Sequence, residues 1–443
     1  MIRIYDLRSD DGRAQFHNHL TRWRAGPASR GEAAATVDAI LADVRRDGDD
    51  AVVRYMRQWV DPDFSAPKIR VSSQEMDAAL DGADAALLES IQTAIDHVRA
   101  YQTHIKPVDP KALTVDGAEL GLRFTPVESA GLAVPGGTAP LFSTLIMLAV
   151  PALVAGVDPR RLAVIHPPPT DGPAGAAAAP PSTIVAATCR ILGIETLYRI
   201  GGAQAVAALA YGTQRVEPVQ MIAGPGNVYV QLAKAQLQGI VGTDGGFYGP
   251  SEILTIADHS ADPAVIAADL IAQAEHDPGR CVLVAWSDAV IERIVDSVRA
   301  QLEQRGRRDA IESALADESC ALLVTDQSQA TDVANDVACE HVTLAVADPD
   351  RLMPSIGHAG QIFLGDQTPV AAGDYSAGPS HCLPTSSTAR FTSGISVYTF
   401  MKRSGTVCYR QGLGSEQIDA IALMAEAEGL EAHAASVRIR RKE

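Results

Sequence analysis

Three segments carry residue types that could do chemistry. In Gln273-Ala-Glu-His276 an amide and an imidazole stand three residues apart. Upstream, Asp262-Pro263 is an N-cap and first-turn pair; downstream, Pro278 is a stop. The spacing predicts a helix over 263–276 with Gln273 and His276 on one face near its end. Two such groups can converge on a metal or ligand, although a cap or surface pair has the same look. Cys339-Glu340-His341 sets a carboxyl beside an imidazole. Adjacent side chains point apart, so each could serve its own proton transfer, and imidazole suits base work near neutral pH. By itself the dipeptide says little. The third segment, 373–385, embeds Asp374 and His381 among glycines and prolines. A long turn-rich stretch with polar groups inside it is more often functional than a simple connector.

Two glycine-rich turns, Val134-Pro-Gly-Gly137 and Gly224-Pro-Gly226-Asn227, precede apolar helical runs. Backbone N–H groups at such turns suit phosphates or carboxylates, and such turns also simply let strand and helix pack closely. Neither has the third glycine of GxGxxG, so the standard Rossmann fingerprint is absent. Near the C-terminus, Glu428 and His433 flank Gly429 in what reads, alone, as a solvated helix end.

The elements that must position these groups follow a pattern. About the first 130 residues read as helical. Val37, Ile40, Leu41 and Val44 share a helix face, Gly48 stops that helix, and Asp49 or Asp50 can cap the next. A second amphipathic run covers 85–101. From about Gly131, β-rich runs (162–166, 196–200, 220–223, 253–257, 281–286, 322–325) alternate with helical ones (182–192, 204–211, 228–238, 263–276, 289–304). That alternation predicts an α/β protein with parallel sheets, and so many strands favour two lobes. The stretch 167–182 is a surface loop of low complexity.

Length and composition bound the rest. The 443 residues are 47% hydrophobic and 21% charged, which excludes disordered, collagen-like and coiled-coil chains. A net charge of −17 argues against duplex nucleic acid and anionic membranes as partners. Six scattered cysteines without CxxC argue against a disulfide framework or thiolate zinc site and fit a reducing cytoplasm. The N-terminus lacks a signal-peptide core. Leu141–Val157, interrupted by Pro151, reads as a buried helix and not a membrane span.

Taken in order, VPGGTAPLFSTLIMLAVPA, IGGAQAVAALAYGT, GPGN, GPSEILTIAD, DLIAQAEHDP, EH, GQIFLG, GDYSAGPSHCLPTSS and EAEGLEAH give essentially the whole chain a resemblance to the histidinol dehydrogenase family. The resemblance implies two successive NAD-dependent oxidations, L-histidinol to L-histidinaldehyde to L-histidine. It implies one zinc held by Gln273, His276, Asp374 and His433. His341 would be the general base and Glu340 would activate water to hydrate the aldehyde. Ser251, His381 and Glu428 would contact substrate beside the zinc ligands; Gln204 and Asn227 would contact the dinucleotide. It implies two incomplete Rossmann-like lobes, a helical N-terminal portion and a small C-terminal tail in a segment-exchanged homodimer. The expected division is an arm (1–24), a first lobe with the catalytic and zinc residues (25–130 with 250–390), an NAD-binding lobe (131–249) and an exchanged tail (391–443).

Three positions depart from the family. Ala133 stands where a tyrosine often contacts the dinucleotide. Thr243–Tyr248 replaces an IDM-type segment, with one extra residue, and leads straight to Ser251. Thr343 replaces a frequent glutamate. These departures motivate a rival, a paralogous dehydrogenase of another amino alcohol or diol. A zinc hydrolase is a second rival, since zinc, Glu and His equally activate water. A non-catalytic metal-dependent assembly or regulatory protein is a third.

Overall fold

The computed structural model describes residues 2–25, 30–136, 141–168, 183–276 and 279–441. The end of the first glycine-rich turn (137–140), most of the low-complexity stretch (169–182), residues 277–278 and the last two residues lie outside the described residues. The chain divides into two units, Met1–Ile105 with Val127–Phe400, and Lys106–Pro126 with Met401–Glu443.

The first unit contains two sheets, each wholly parallel. The larger has six strands in the order Arg3–Asp6, Cys320–Leu323, Gly279–Ala285, Ser251–Ala257, His341–Ala345 and Gln361–Leu364. The smaller has five: Thr196–Tyr198, Leu162–Ile165, Ala130–Ala133, Met221–Ala223 and Gly242–Thr243. Their sequences explain the burial. Gly279–Ala285 and Leu162–Ile165 are buried at every position, as a sheet covered by helices on both faces requires. This is the expected α/β architecture.

Several local expectations need correction. Helices Arg30–Asp47 and Asp49–Trp59 do not cover the first lobe: Val37, Ile40, Val52 and Met56 form one core with Ile165, Tyr198 and Val206 of the five-stranded lobe. Gly48 does end the first of these helices, at φ 59°, but the second begins without a side-chain cap. Asp49 instead turns its carboxylate to Thr213 Oγ1 at 2.5 Å. The N-terminal third is also not uniformly helical. Arg3–Asp6 is an edge strand of the six-stranded sheet, too short for a period to register. Among the described residues, no helix is long and apolar enough to cross a membrane; Leu141–Val157 yields the buried helix Phe142–Ala155.

The second unit holds an antiparallel sheet in the order Met401–Cys408, Ala118–Pro126, Leu113–Val115, and the helices Ser415–Ala427 and Glu431–Arg438. Leu120, Leu122 and Phe124 alternate with Glu119, Gly121 and Arg123, a period of two that marks a strand in a stretch expected to be helical. Leu113, Leu120 and Val407 are in register across the three strands. Leu113 and Val407 are exposed, as are Leu423, Met424 and Ile439 on the helices.

Candidate active site

Parallel pairing of Ser251–Ala257 with His341–Ala345 sets Ile253 opposite His341. The peptide groups of Glu252 therefore reach both candidate catalytic side chains. Its N–H donates to Glu340 Oε2 at 2.8 Å, and its carbonyl oxygen accepts from His341 Nδ1 at 3.1 Å. Ser251 Oγ donates to the same Glu340 oxygen at 2.8 Å. The preceding helix, Gln327–Val337, ends on Ala338 in the left-handed region (φ 50°), and this sharp exit delivers Cys339-Glu340-His341 to the strand.

Electrostatics follow from burial. A carbonyl oxygen only accepts, so His341 Nδ1 carries the proton and Nε2 presents a lone pair. That Nε2 is buried without a partner among the described residues, and its nearest charged neighbour is Asp374 Oδ1 at 3.9 Å. Burial pushes the His341 imidazole down to about 3, keeping it neutral. Burial pushes the Glu340 carboxyl well above its usual range. A carboxyl so raised holds its proton more tightly than a free one and, once ionised, is the stronger base toward water. The Glu252 side chain anchors this arrangement from below. Its carboxyl, pushed up by burial and drawn back by Arg280, bonds Arg280 Nη1 at 3.1 Å and the Ser386 N–H at 3.0 Å.

A cavity of about 420 Å³ is lined by Asn227, Ser251, His276, Glu340, His341, Asp374 and His381. Seven of the sequence-predicted residues thus meet in one place. His381 donates from Nδ1 to the Asp374 carbonyl at 2.7 Å, so its Nε2 accepts from Thr144 Oγ1 at 3.0 Å. Burial pushes the His381 imidazole down to about 4. Asp374 was expected on a loop but lies on the short helix Val370–Tyr375. Its carboxylate accepts no hydrogen bond among the described residues, and burial pushes it up to about 6. Gln273 is buried on Pro263–Ala274, with Nε2 unpartnered among the described residues. Asp262 caps that helix as expected, through Ala264 N–H at 2.8 Å. The helix stops at Ala274, earlier than expected, so His276 follows it. The returning chain approaches so closely that a Cβ on Gly279 would lie 2.1 Å from Gln273 O.

Among the described residues, no group of three or more His, Cys, Asp or Glu is arranged to hold a metal. In the expected set one donor is an amide, and His433 lies in the second unit on Glu431–Arg438, where it and Glu428 are exposed. Two donors of the first unit still fit a cation, a desolvated carboxylate that accepts no hydrogen bond among the described residues and an imidazole lining the same cavity. The unpartnered atom of Gln273 is its amide nitrogen, which only donates, so that side chain could bind a cation only through Oε1.

Asp269 was not singled out from the sequence. Buried one turn before Gln273, its carboxyl faces the N–H of Val370, the first residue of the helix that carries Asp374. Burial pushes its carboxyl from 3.8 up to about 6. The folded chain thus holds this proton more tightly than the unfolded one. The stability from this group is complete below the unfolded value and is lost as pH rises through about 6. Asn keeps the acceptor and cannot ionise. Asp269→Asn is therefore expected to melt a few degrees above wild type at pH 8, with the gap shrinking as pH falls toward 4; thermal melts across that range check this.

A second cavity, of about 480 Å³, lies at the carboxyl ends of the five-stranded sheet, lined by Gln204, Gly202, Gly136, Asn227 and Trp59 among others. Gln204 is buried; its Nε2 lies 3.7 Å from Met56 Sδ and its Oε1 has no partner among the described residues. Asn227 caps Val228–Gln236, accepting from Tyr229 and Val230 N–H, which leaves its amide nitrogen for a ligand. Asn227 borders both cavities. Ala133 is a buried strand residue and lines neither. The candidate catalytic groups sit at the amino ends of their strands, opposite to the usual carboxyl-end location in open α/β sheets.

A parallel α/β scaffold that holds a neutral buried imidazole and a buried carboxyl of raised pKa in one cavity has the equipment of an enzyme that moves protons. Comparison with known proteins narrows the class. Residues 24–441 match the histidinol dehydrogenase family. Histidinol dehydrogenase of Thermosynechococcus vestitus is 43% identical over 441 residues, 99% of each chain. That of Bacillus subtilis is 41% identical over 424 residues, 96% of each. The solved histidinol dehydrogenase of Elizabethkingia anophelis superposes with a TM-score of 0.86 at 30% identity, covering 99% of this chain and 98% of that one. The chain belongs to the histidinol dehydrogenase family and is an NAD-dependent oxidoreductase.

Proposed function

We propose that the chain oxidises L-histidinol through L-histidinaldehyde to L-histidine, using two NAD, one zinc per site and the residues gathered around His341. The observation that carries the reading is the Glu252 peptide, which fixes Glu340 and His341 together and leaves His341 Nε2 as a free acceptor. Gln273, His276 and Asp374, with His433 of the partner subunit, would hold zinc, which when bound holds the substrate's imidazole and amino groups. Gln204 and Asn227 would bind NAD, which when bound accepts the hydride. Ala133, the remaining dinucleotide candidate, has no role in this reading.

His341 Nε2 takes the alcohol proton as the first hydride leaves the carbinol carbon. Glu340 then takes a proton from water, whose oxygen adds to the aldehyde carbon while the His341 imidazolium returns its proton to the carbonyl oxygen. His341, neutral again, accepts a proton from the hydrate as the second hydride leaves. Water supplies the new carboxyl oxygen, and the electrons leave as two hydrides. Ser251, His381 and Glu428 hold the substrate between steps. Burial of Glu340 and His341 supports retention of the reactive aldehyde.

Two further features belong to this reading. The exposed Leu113 and Val407 on the sheet, with the exposed Leu423, Met424 and Ile439 on the helices, are the kind of apolar surface a subunit partner covers, which supports a homodimer with exchanged second units. The free cysteines, five of them buried, suit a cytoplasmic enzyme. The test is NADH formation from L-histidinol by the zinc-loaded protein, before and after chelation. Two NADH per histidinol, abolished by chelation and restored by zinc, is expected. Product without NAD would overturn the reading in favour of a hydrolase.

A further inference from the structure

We propose that Tyr248 determines specificity: its ring is the partition between the catalytic cavity and a second cavity beside it, and so limits the size of the alcohol at its carbinol end. The inference rests on the activity proposed above. Tyr248, with Gly226, Asn227, Gly249 and Pro250, lines both the catalytic cavity of about 420 Å³ and a neighbouring one of about 640 Å³. Of these five, Tyr248 alone has a large side chain. His276, Asp374 and His381 line only the catalytic cavity, as do Glu340 and His341. In the proposed reading the imidazole end of the substrate belongs with the first three, and its carbinol lies between His341 and the dinucleotide. The carbinol must meet the dinucleotide near Asn227, on the wall that Tyr248 shares.

The loop is built to hold this ring still. Tyr248 is 9% exposed although it lies outside any helix or strand. Its hydroxyl donates to Asp244 Oδ2 at 3.1 Å, and Lys234 Nζ lies 4.8 Å from the ring centroid. Lys234 and Asp244 form a buried ion pair at 2.7 Å. That pair is itself fixed, because Asp244 accepts from Gly224 N–H at 2.7 Å and Lys234 donates to Gly224 O at 2.9 Å. A Cβ at Gly246 would lie 2.6 Å from the ring's Cζ and hydroxyl oxygen, so glycine there is what lets the ring fold back. On the other side, the Phe247 carbonyl accepts the Thr385 N–H at 3.1 Å, and Gly249 N–H donates to Thr385 Oγ1 at 2.6 Å. With its hydroxyl committed to Asp244, Tyr248 offers the cavity a hydrophobic wall and not a proton.

The test is calorimetric binding of L-histidinol, and of a derivative enlarged by a phenyl group on the carbinol carbon, to the zinc-loaded full chain. Wild type and Tyr248→Phe, which keeps the ring, should disfavour the enlarged ligand. Tyr248→Ala should narrow the ratio of dissociation constants by about tenfold or more, the scale on which a pocket discriminates by size. Gly246→Ala, which displaces the ring without removing it, should move the ratio the same way and decides the matter if Tyr248→Ala fails to fold. An unchanged ratio in a folded variant overturns the partition. Failure of the wild type to make NADH from L-histidinol would sink the activity separately, because the binding ratio is read without turnover.

Discussion

His341→Ala is expected to lower kcat by about a thousandfold, the middle of the range that a positioned general base contributes, while zinc content and the KM for NAD stay near wild type. The expectation comes from how the ring is held. Nδ1 is committed to the Glu252 carbonyl at 3.1 Å, so the tautomer is set before substrate arrives. Nε2 is buried and unpartnered among the described residues, and burial keeps it neutral with a value of about 3. Its 3.9 Å separation from Asp374 Oδ1 is too long for a hydrogen bond, so the proposed zinc donor Asp374 does not depend on the ring. Steady-state kinetics and metal analysis on the same preparation check this. Asp374→Asn makes the contrast, since it should lose zinc and activity together. A His341→Ala protein that had lost its zinc would show that the imidazole is a ligand and not the base.

The sequence made the catalytic chemistry more legible than its support. Residue types and order pointed to Glu340, His341, Asp374 and His381, and the cavity gathers all four. The supporting groups left no such signal. Glu252 acts on Glu340 and His341 through its backbone, and that follows only from the register that sets Ile253 against His341. Thr144, in an apolar helix, becomes a donor to His381 only because distant segments meet. Asp269 looks like one more helix residue until folding sets its carboxyl against the start of a helix some hundred residues on. Element types were read well where both faces of a strand are buried, because uninterrupted apolar runs such as Leu162–Ile165 are unambiguous once helices flank them. They were missed where a strand is brief, as Arg3–Asp6, or where its period of two sat within helical surroundings, as Ala118–Pro126. Helices Arg30–Asp47 and Asp49–Trp59 went to the wrong lobe because an apolar stripe says that a face is buried, not against what.

Mixing two inactive variants should restore activity if the second unit completes its neighbour's site. In the proposed reading His341→Ala removes the base from the first unit, and His433→Ala removes a zinc donor from the second. Each homodimer is expected to be nearly inert. In a mixed dimer with exchanged tails, one site collects both defects and the other collects neither. Random exchange makes about half the dimers mixed, each with one intact site, so activity should recover to about a quarter of wild type. The exposed apolar residues of the second unit supply the physical motive. Leu113 and Val407 lie on one row of its sheet, and Leu423, Met424 and Ile439 add to them on its helices. Surface of that kind is stable in water when a partner covers it. Brief unfolding and refolding of the mixture, with subunit exchange verified by mass-tagged chains, provides the measurement. Recovery near a quarter would also fix where Glu428 acts, since it shares the second unit with His433. If exchange is complete and no activity returns, each chain must build its own site, and His433 then serves the zinc of its own first unit.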